Sequence, residues 1–124
     1  FVASQKGVEA MQSYLASFEK CRGRLAEATA TVLARSSDDP NEIGAASYSY
    51  MELMGLVLYC FMWQRILSAA FTDQNSGSTD ADYTDALVKT GEFFMRRLLP
   101  RADSLLAEIS SGAESLMTMR AEQF

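Results

Sequence analysis

The stretch Leu53-Met54-Gly55-Leu56-Val57-Leu58-Tyr59-Cys60-Phe61-Met62-Trp63, closed by Gln64-Arg65, decides the fold. It carries no turn residue pair and no apolar–polar alternation, so it describes a helix and not a half-buried strand. Its start signal lies upstream in Asp39-Pro40-Asn41-Glu42: Asp39 as N-cap, Pro40 at the first helical position, and Glu42 reaching back as in a capping box. The helix is expected to run from there to about Phe71 or Thr72. Its middle is apolar on every side, so neighbours must cover most of its faces. Gly55, and earlier the small run Gly44-Ala45-Ala46-Ser47, admit close approach of another backbone. In an isolated helix Gly55 costs about 1 kcal/mol relative to alanine, which packing must offset. The unbroken apolar run is too short to cross a bilayer, so no membrane span is expected.

Working outward, Val8, Met11, Leu15, Phe18, Cys21, Leu25, Ala28 and Val32 follow three-and-four spacing. They predict a first amphipathic helix from Val8, with Lys6, Glu9, Glu19, Lys20 and Arg24 mostly turned outward. Ser36-Ser37-Asp38-Asp39 ends it. On the other side, Asp73-Gln74-Asn75-Ser76-Gly77-Ser78 forms a polar linker, after which Thr79 with Asp82 caps a third helix. That helix is expected to turn Leu87, Gly91, Phe94 and Leu98 inward. Pro100 poses a choice. Gly91, Leu98, Leu105 and Gly112 recur every seven residues across it, as do Met95, Ala102, Ile109 and Leu116, so the apolar phase does not reset. Leu98-Leu99 also offers no glycine or asparagine for a tight helical hairpin. The expected fold is all-α, an antiparallel bundle of three long helices with the third kinked at Pro100. The alternative is a four-helix up-and-down bundle broken at that proline.

Composition bounds the function. With 124 residues, 48% hydrophobic and 22% charged, the chain is one globular domain spanning 1–124. Its 16 acidic against 11 basic side chains leave a net charge of −5, which argues against nucleic acid as a partner. There is no histidine. That removes the imidazole of Ser and Cys triads, the Glu-x-x-His pair of a di-iron bundle and any His-ligated metal. Cys21 and Cys60 sit within apolar helical patterns without metal spacing, and are expected as reduced core residues of a cytoplasmic protein. They would pair only if their helices happened to face. The first residues, Phe1-Val2-Ala3, carry neither an initiator Met nor a signal arrangement, and suggest a piece excised from a longer polypeptide.

Candidate site residues are few, and none is assigned as catalytic, cofactor-binding or metal-binding. Glu52, beside the apolar run, reads either as a buried base or as a carboxylate at the helix edge paired with Lys or Arg, and the second is preferred. Trp63 and Arg65 suit a ligand platform, or more simply the end of a buried helix. Lys89, Glu92 and Arg96 make a solvated face of weak pairs. Tyr59 and Phe94, with the other aromatics and methionines, suit an acyl pocket or a helix-face interface, and the interface is preferred. Tyr59, Trp63, Arg65 and Phe94 are therefore the expected interface or pocket residues.

A family resemblance rests on an ordered set of motifs. Ala46-Ser47-Tyr48 with Tyr50, then Gly55, Met62-Trp63-Gln64-Arg65 and Ala69-Ala70, resemble the additional C-terminal domain of certain bacterial acyl-CoA dehydrogenases. Lys89-Thr90-Gly91 with Phe93-Phe94, Leu99-Pro100 and Gly112-Ala113-Glu114-Ser115-Leu116-Met117 extend the likeness, which covers about Leu15 to Met117. The branch it is most similar to includes methylmercaptopropionyl-CoA dehydrogenase. The resemblance implies a parent flavoenzyme in which FAD accepts a hydride from the β-carbon of an acyl-CoA after a glutamate removes the α-proton. It places FAD, acyl-CoA and base in upstream domains, so no catalytic residue carries over, and Glu52 does not match the family's base. The implied role is a non-catalytic domain that packs on the catalytic core and supports a homo-oligomer. The alternative is a self-contained helical dimerisation module, with a small acyl- or CoA-binding module as a weaker third reading.

Overall fold

The computed structural model describes residues 1–76 and 80–124, with side chains for 1–72 and 80–124. The described residues are helical with no strand. A short α1 (Val2–Gln5) and a 3-10 turn (Glu9–Met11) lead into α2 (Gln12–Ser36). Then come α3 (Asn41–Ser76), α4 (Ala81–Phe93), a π-helical turn (Phe94–Leu98), α5 (Arg101–Ser111), α6 (Glu114–Met117) and a last 3-10 turn (Ala121–Gln123).

The first long helix does not begin at Val8. Val8 is extended, and the Gln12 side chain donates to the carbonyls of Lys6 (2.6 Å) and Val8 (3.1 Å), holding the preceding chain in a separate turn. The central helix runs 36 residues, past its expected end and through Asp73–Ser76 of the expected linker. The expected cap Thr79, with Gly77 and Ser78, lies outside the described residues. The next helix is capped by Asp80, whose carboxylate accepts from the Asp82 N–H at 3.0 Å.

At the start of α3, the Asp39 carboxylate accepts from the Asn41 N–H at 2.9 Å, the capping role its sequence signals. Glu42 does not reach back. Its Oε1 accepts instead from the Ala113 N–H at 3.0 Å, and Arg35 stands 3.9 Å from its other oxygen while donating to the Ser110 carbonyl at 2.9 Å. A tertiary donor with no helical partner outcompetes the local box. This knot encloses Gly112, whose φ of 77° and ψ of −174° only glycine adopts freely. A β-carbon there would lie 3.0 Å from Glu42 Oε1 and 3.2 Å from an Arg35 nitrogen. Gly112→Ala is therefore expected to cost about 1–3 kcal/mol, read as a lower urea midpoint at unchanged slope.

The chain does not reverse at Pro100. Leu67 packs on Gly91, Cys60 on Met95, Glu52 on Arg101 and Ser49 on Glu108, so α4, the π turn and α5 follow α3 in unbroken antiparallel order. Proline has no N–H to donate, and its ring crowds the carbonyl four residues earlier. The chain answers with a widened turn: the Leu99 N–H donates to the Phe94 carbonyl at 3.0 Å, five residues back. The extra residue shifts the inward face. Leu99 is 7% exposed whereas Leu98, expected inside, is 40% exposed. Past the proline, Ala102, Leu105 and Ile109 are buried, while Leu116 is exposed.

The core sits around α3. Its Leu53, Val57, Cys60, Gln64 and Leu67 point inward at alternating four- and three-residue steps. α2 lies antiparallel across it, with Phe18 against Phe61 (centroids 5.9 Å), Thr29 bonded to Tyr50 (2.7 Å) and Gln64 donating to the Tyr14 carbonyl (2.8 Å). The all-α expectation holds. The bundle of three long helices with the third kinked at Pro100 is met only in part, because the third stretch is two helices, α4 and α5, joined through a π turn.

Candidate functional site

α3 is packed by α2 and by α4 and α5, and one face remains bare. On it Leu58 is 58% and Tyr59 65% exposed, and Tyr48, Met51, Met54 and Met62 are exposed with them. These positions follow helical spacing along the side opposite Leu53, Cys60 and Leu67, so they make a continuous apolar stripe and not scattered surface residues. By length and composition alone the helix from Asn41 to Thr72 is apolar enough to cross a membrane, a longer stretch than the run from Leu53 to Trp63. Here, however, it is the core helix of a packed domain, its Gln64 and Ser49 bonded to protein partners.

The four sequence-selected residues do not form one site. Tyr59 and Arg65 lie on the bare face, and Arg65 has no ion pair among the described residues. Trp63 is half-buried and packs its ring on the buried Phe94 at 6.3 Å between centroids with planes 30° apart. That contact joins α3 to the π turn and is a core contact. Glu52 borders the stripe. It accepts from the Tyr48 hydroxyl at 3.1 Å and from Arg101 at 3.0 Å, the edge carboxylate the sequence favoured. The hydrogen bond to Glu52 raises the Tyr48 phenol above its ordinary range. Together Glu52, Gly55, Leu56, Tyr59 and Arg101 line a shallow cleft of about 220 Å³. No local motif signals the Glu52–Arg101 pair, since 49 residues separate them.

A second apolar feature was missed in the sequence. Between α2 and α3, Val32, Leu33, Ile43, Ala46 and Tyr50 line a groove of about 320 Å³. Leu33 and Ile43 lie outside the buried stripes of their helices, both exposed, so only the gap between the helices reveals it. No cation lines this groove and no glycine-rich helix start faces it, so it does not suit a dinucleotide pyrophosphate.

Both cysteines are buried free thiols. Cys60 is fully buried with its Sγ 3.8 Å from Met95 Sδ, and burial pushes its pKa up to about 12 against the opposing hydrogen bond from Gln64. Burial likewise raises Cys21. The sign follows. In the unfolded chain Cys60 ionises near its ordinary value of about 8.5, whereas in the fold it keeps its proton. The folded state then binds more protons, so stability falls as pH rises from about 9 towards 12. Native protein at pH 8 is expected to resist iodoacetamide at both thiols. Thermal midpoints should drop between pH 9 and 11, and less so in a Cys60→Ala/Cys21→Ala background.

Among the described residues, no three His, Cys, Asp or Glu side chains converge as a metal site would require. The arrangement offers an exposed apolar face edged by a tied carboxylate, and a groove. A family model described as acetyl-CoA dehydrogenase C-terminal like matches residues 1–120. The chain matches no curated protein sequence.

Proposed function

Because this chain belongs to the acetyl-CoA dehydrogenase C-terminal-like family, we propose that it is the non-catalytic C-terminal helical domain of an FAD-dependent acyl-CoA dehydrogenase. In this reading it packs on the upstream domains of a longer cytoplasmic parent and supports its oligomerisation. The branch containing methylmercaptopropionyl-CoA dehydrogenase is the finer assignment that the sequence motifs favour. The observation that carries the proposal is the match over residues 1–120, combined with a central helix left bare along one face. A face of that size and polarity is what a domain presents to a neighbour. α4, the π turn and α5 act here as one bent rod, which with α2 leaves α3 open on a single side. FAD and acyl-CoA belong to the upstream domains, where the flavin accepts the hydride when bound.

The full natural polypeptide tests this. It is expected to purify with flavin absorbance and to reduce an artificial electron acceptor when given acyl-CoA, methylmercaptopropionyl-CoA among the substrates tried. A full polypeptide that binds no flavin and oxidises no acyl-CoA would sink the reading. The bare stripe also favours a second reading, a self-contained dimerisation module, which predicts a dimer of a chain with no dehydrogenase core upstream.

A further inference from the structure

We propose that Cys60, Met95 and Cys21 form a buried site for one soft monovalent metal ion, Cu(I), held by a thiolate, a thioether and a third sulfur. Three segments bring these side chains together. On α3, Cys60 is fully buried and its Sγ lies 3.8 Å from the Sδ of Met95, which the π turn carries. On α2, Phe18 lies against Phe61, and Cys21 follows Phe18 by one turn within the same buried cluster as Cys60. In antiparallel order this leaves Cys21 about 3 Å from Cys60 along the helix axes, two residues at about 1.5 Å each. The two thiols sense one another, since charge on Cys21 acts on Cys60. Cys21 and Met95 also line one cavity of about 150 Å³ between α2 and the π turn.

Spacing and donor type select the ion. At a metal–thiolate distance of about 2.3 Å from each sulfur, an ion between Cys60 and Met95 sees them about 110° apart. That is the angle of a three-coordinate centre, open to a third ligand on the side of Cys21. Thiolate and thioether donors favour Cu(I). Zn(II) takes four ligands from Cys, His and carboxylates. The chain has no histidine, and the buried polar side chains among the described residues are Ser49, Gln64 and Thr84. Ionisable groups alone do not converge there, and the Met95 thioether supplies the missing donor. Charge agrees as well. One Cys60 thiolate cancels the single charge of the ion, so the loaded site stays neutral in an apolar core. On binding, the Cys60 S–H bond breaks, a sulfur–copper bond forms and the proton leaves to solvent, with no change in oxidation state. Gln64 Nε2, 3.9 Å from Cys60 Sγ, donates towards that sulfur and favours its thiolate. The cavity is the route of entry: Lys20, Arg24 and Asp103 stand on it with Cys21 and Met95.

The experiment uses the full natural polypeptide, reduced and kept under nitrogen, with Cu(I) supplied as its bicinchoninate complex. The parent is expected to take up one Cu(I) per chain more than Cys21→Ala/Cys60→Ala, a difference from which any other thiol of the polypeptide drops out. Cys60→Ala should weaken binding at least hundredfold. Met95→Leu, which conserves volume and both thiols, should weaken it at least tenfold. Cu(I) should raise the thermal midpoint of the parent and not of the double variant. X-ray absorption at the copper edge should count three sulfur neighbours. Circular dichroism verifies that each variant stays helical, and Met95→Leu carries the test should Cys60→Ala fail to fold. Overturning results are equal uptake by parent and double variant, an affinity indifferent to Met95→Leu, or Zn(II) bound as tightly as Cu(I). Loss of both thiols to a Cys21–Cys60 disulfide with no copper retained overturns it too. Flavin content and acyl-CoA oxidation bear on the dehydrogenase assignment alone, so either proposal can fail without the other.

Discussion

Leu53→Ala is expected to destabilise the domain by about 3 kcal/mol, lowering its thermal midpoint by roughly 10 °C, whereas Leu58→Ala should change it by less than about 0.5 kcal/mol. The two leucines stand five positions apart in the same apolar run and are chemically identical. Leu53 is fully buried in the cluster that includes Phe18, Phe94 and Leu105, so truncation removes apolar contact and leaves a cavity that packed helices refill only in part. Leu58 contacts water, and its truncation leaves no cavity. Urea unfolding of both variants decides the matter. Equal effects would mean that the run is covered on every side.

Gln64→Glu is expected to be as damaging at neutral pH, about 3 kcal/mol or more, with a distinctive dependence on acid. Gln64 is 0% exposed; its Nε2 donates to the Tyr14 carbonyl and its Oε1 has no partner. A carboxylate in this position would be a buried charge facing a carbonyl oxygen, so the fold would hold it protonated, with its pKa raised. The folded state of the variant then binds one more proton than the unfolded state between the unfolded value of about 4.3 and the raised one. Stability is retained below pH 4.3 and lost as pH rises through the folded pKa. The difference in unfolding free energy between Gln64→Glu and the parent chain should therefore shrink on acidification from pH 7 to 4. A Gln64→Leu variant separates charge from packing. It removes the unpartnered acceptor, and the Tyr14 carbonyl still accepts within α2, so its cost should be under about 1.5 kcal/mol.

Several features were legible in the chain before any coordinates. The central helix, its Asp39 cap and the inward place of Cys21 on α2 follow from local signals, because each depends on residues within one or two turns. The π turn did not. A seven-residue recurrence of Gly91, Leu98 and Leu105 imitates an uninterrupted stripe, and only packing on α3 shows that Leu99 takes the inward place of Leu98. Glu42 misled for a related reason: its capping-box position is local, but the unpaired Ala113 N–H that captures it lies 71 residues away. The first helix began late because Gln12 caps a separate turn, an arrangement with no periodicity to betray it.

The sequence by itself determined an all-helical chain built on one helix too apolar for water, and, through its ordered motifs, the family to which that helix belongs. Hydrophobic periodicity and capping suffice for that, since they act over a few residues. Only the tertiary structure decided which side of the helix is buried. A run apolar on all sides has no amphipathic phase, so nothing in its spacing distinguishes Leu53 from Leu58 or Trp63 from Tyr59. Neighbouring helices make that choice by covering three sides and leaving the fourth, where Glu52 and Arg65 bracket the face, open to a partner.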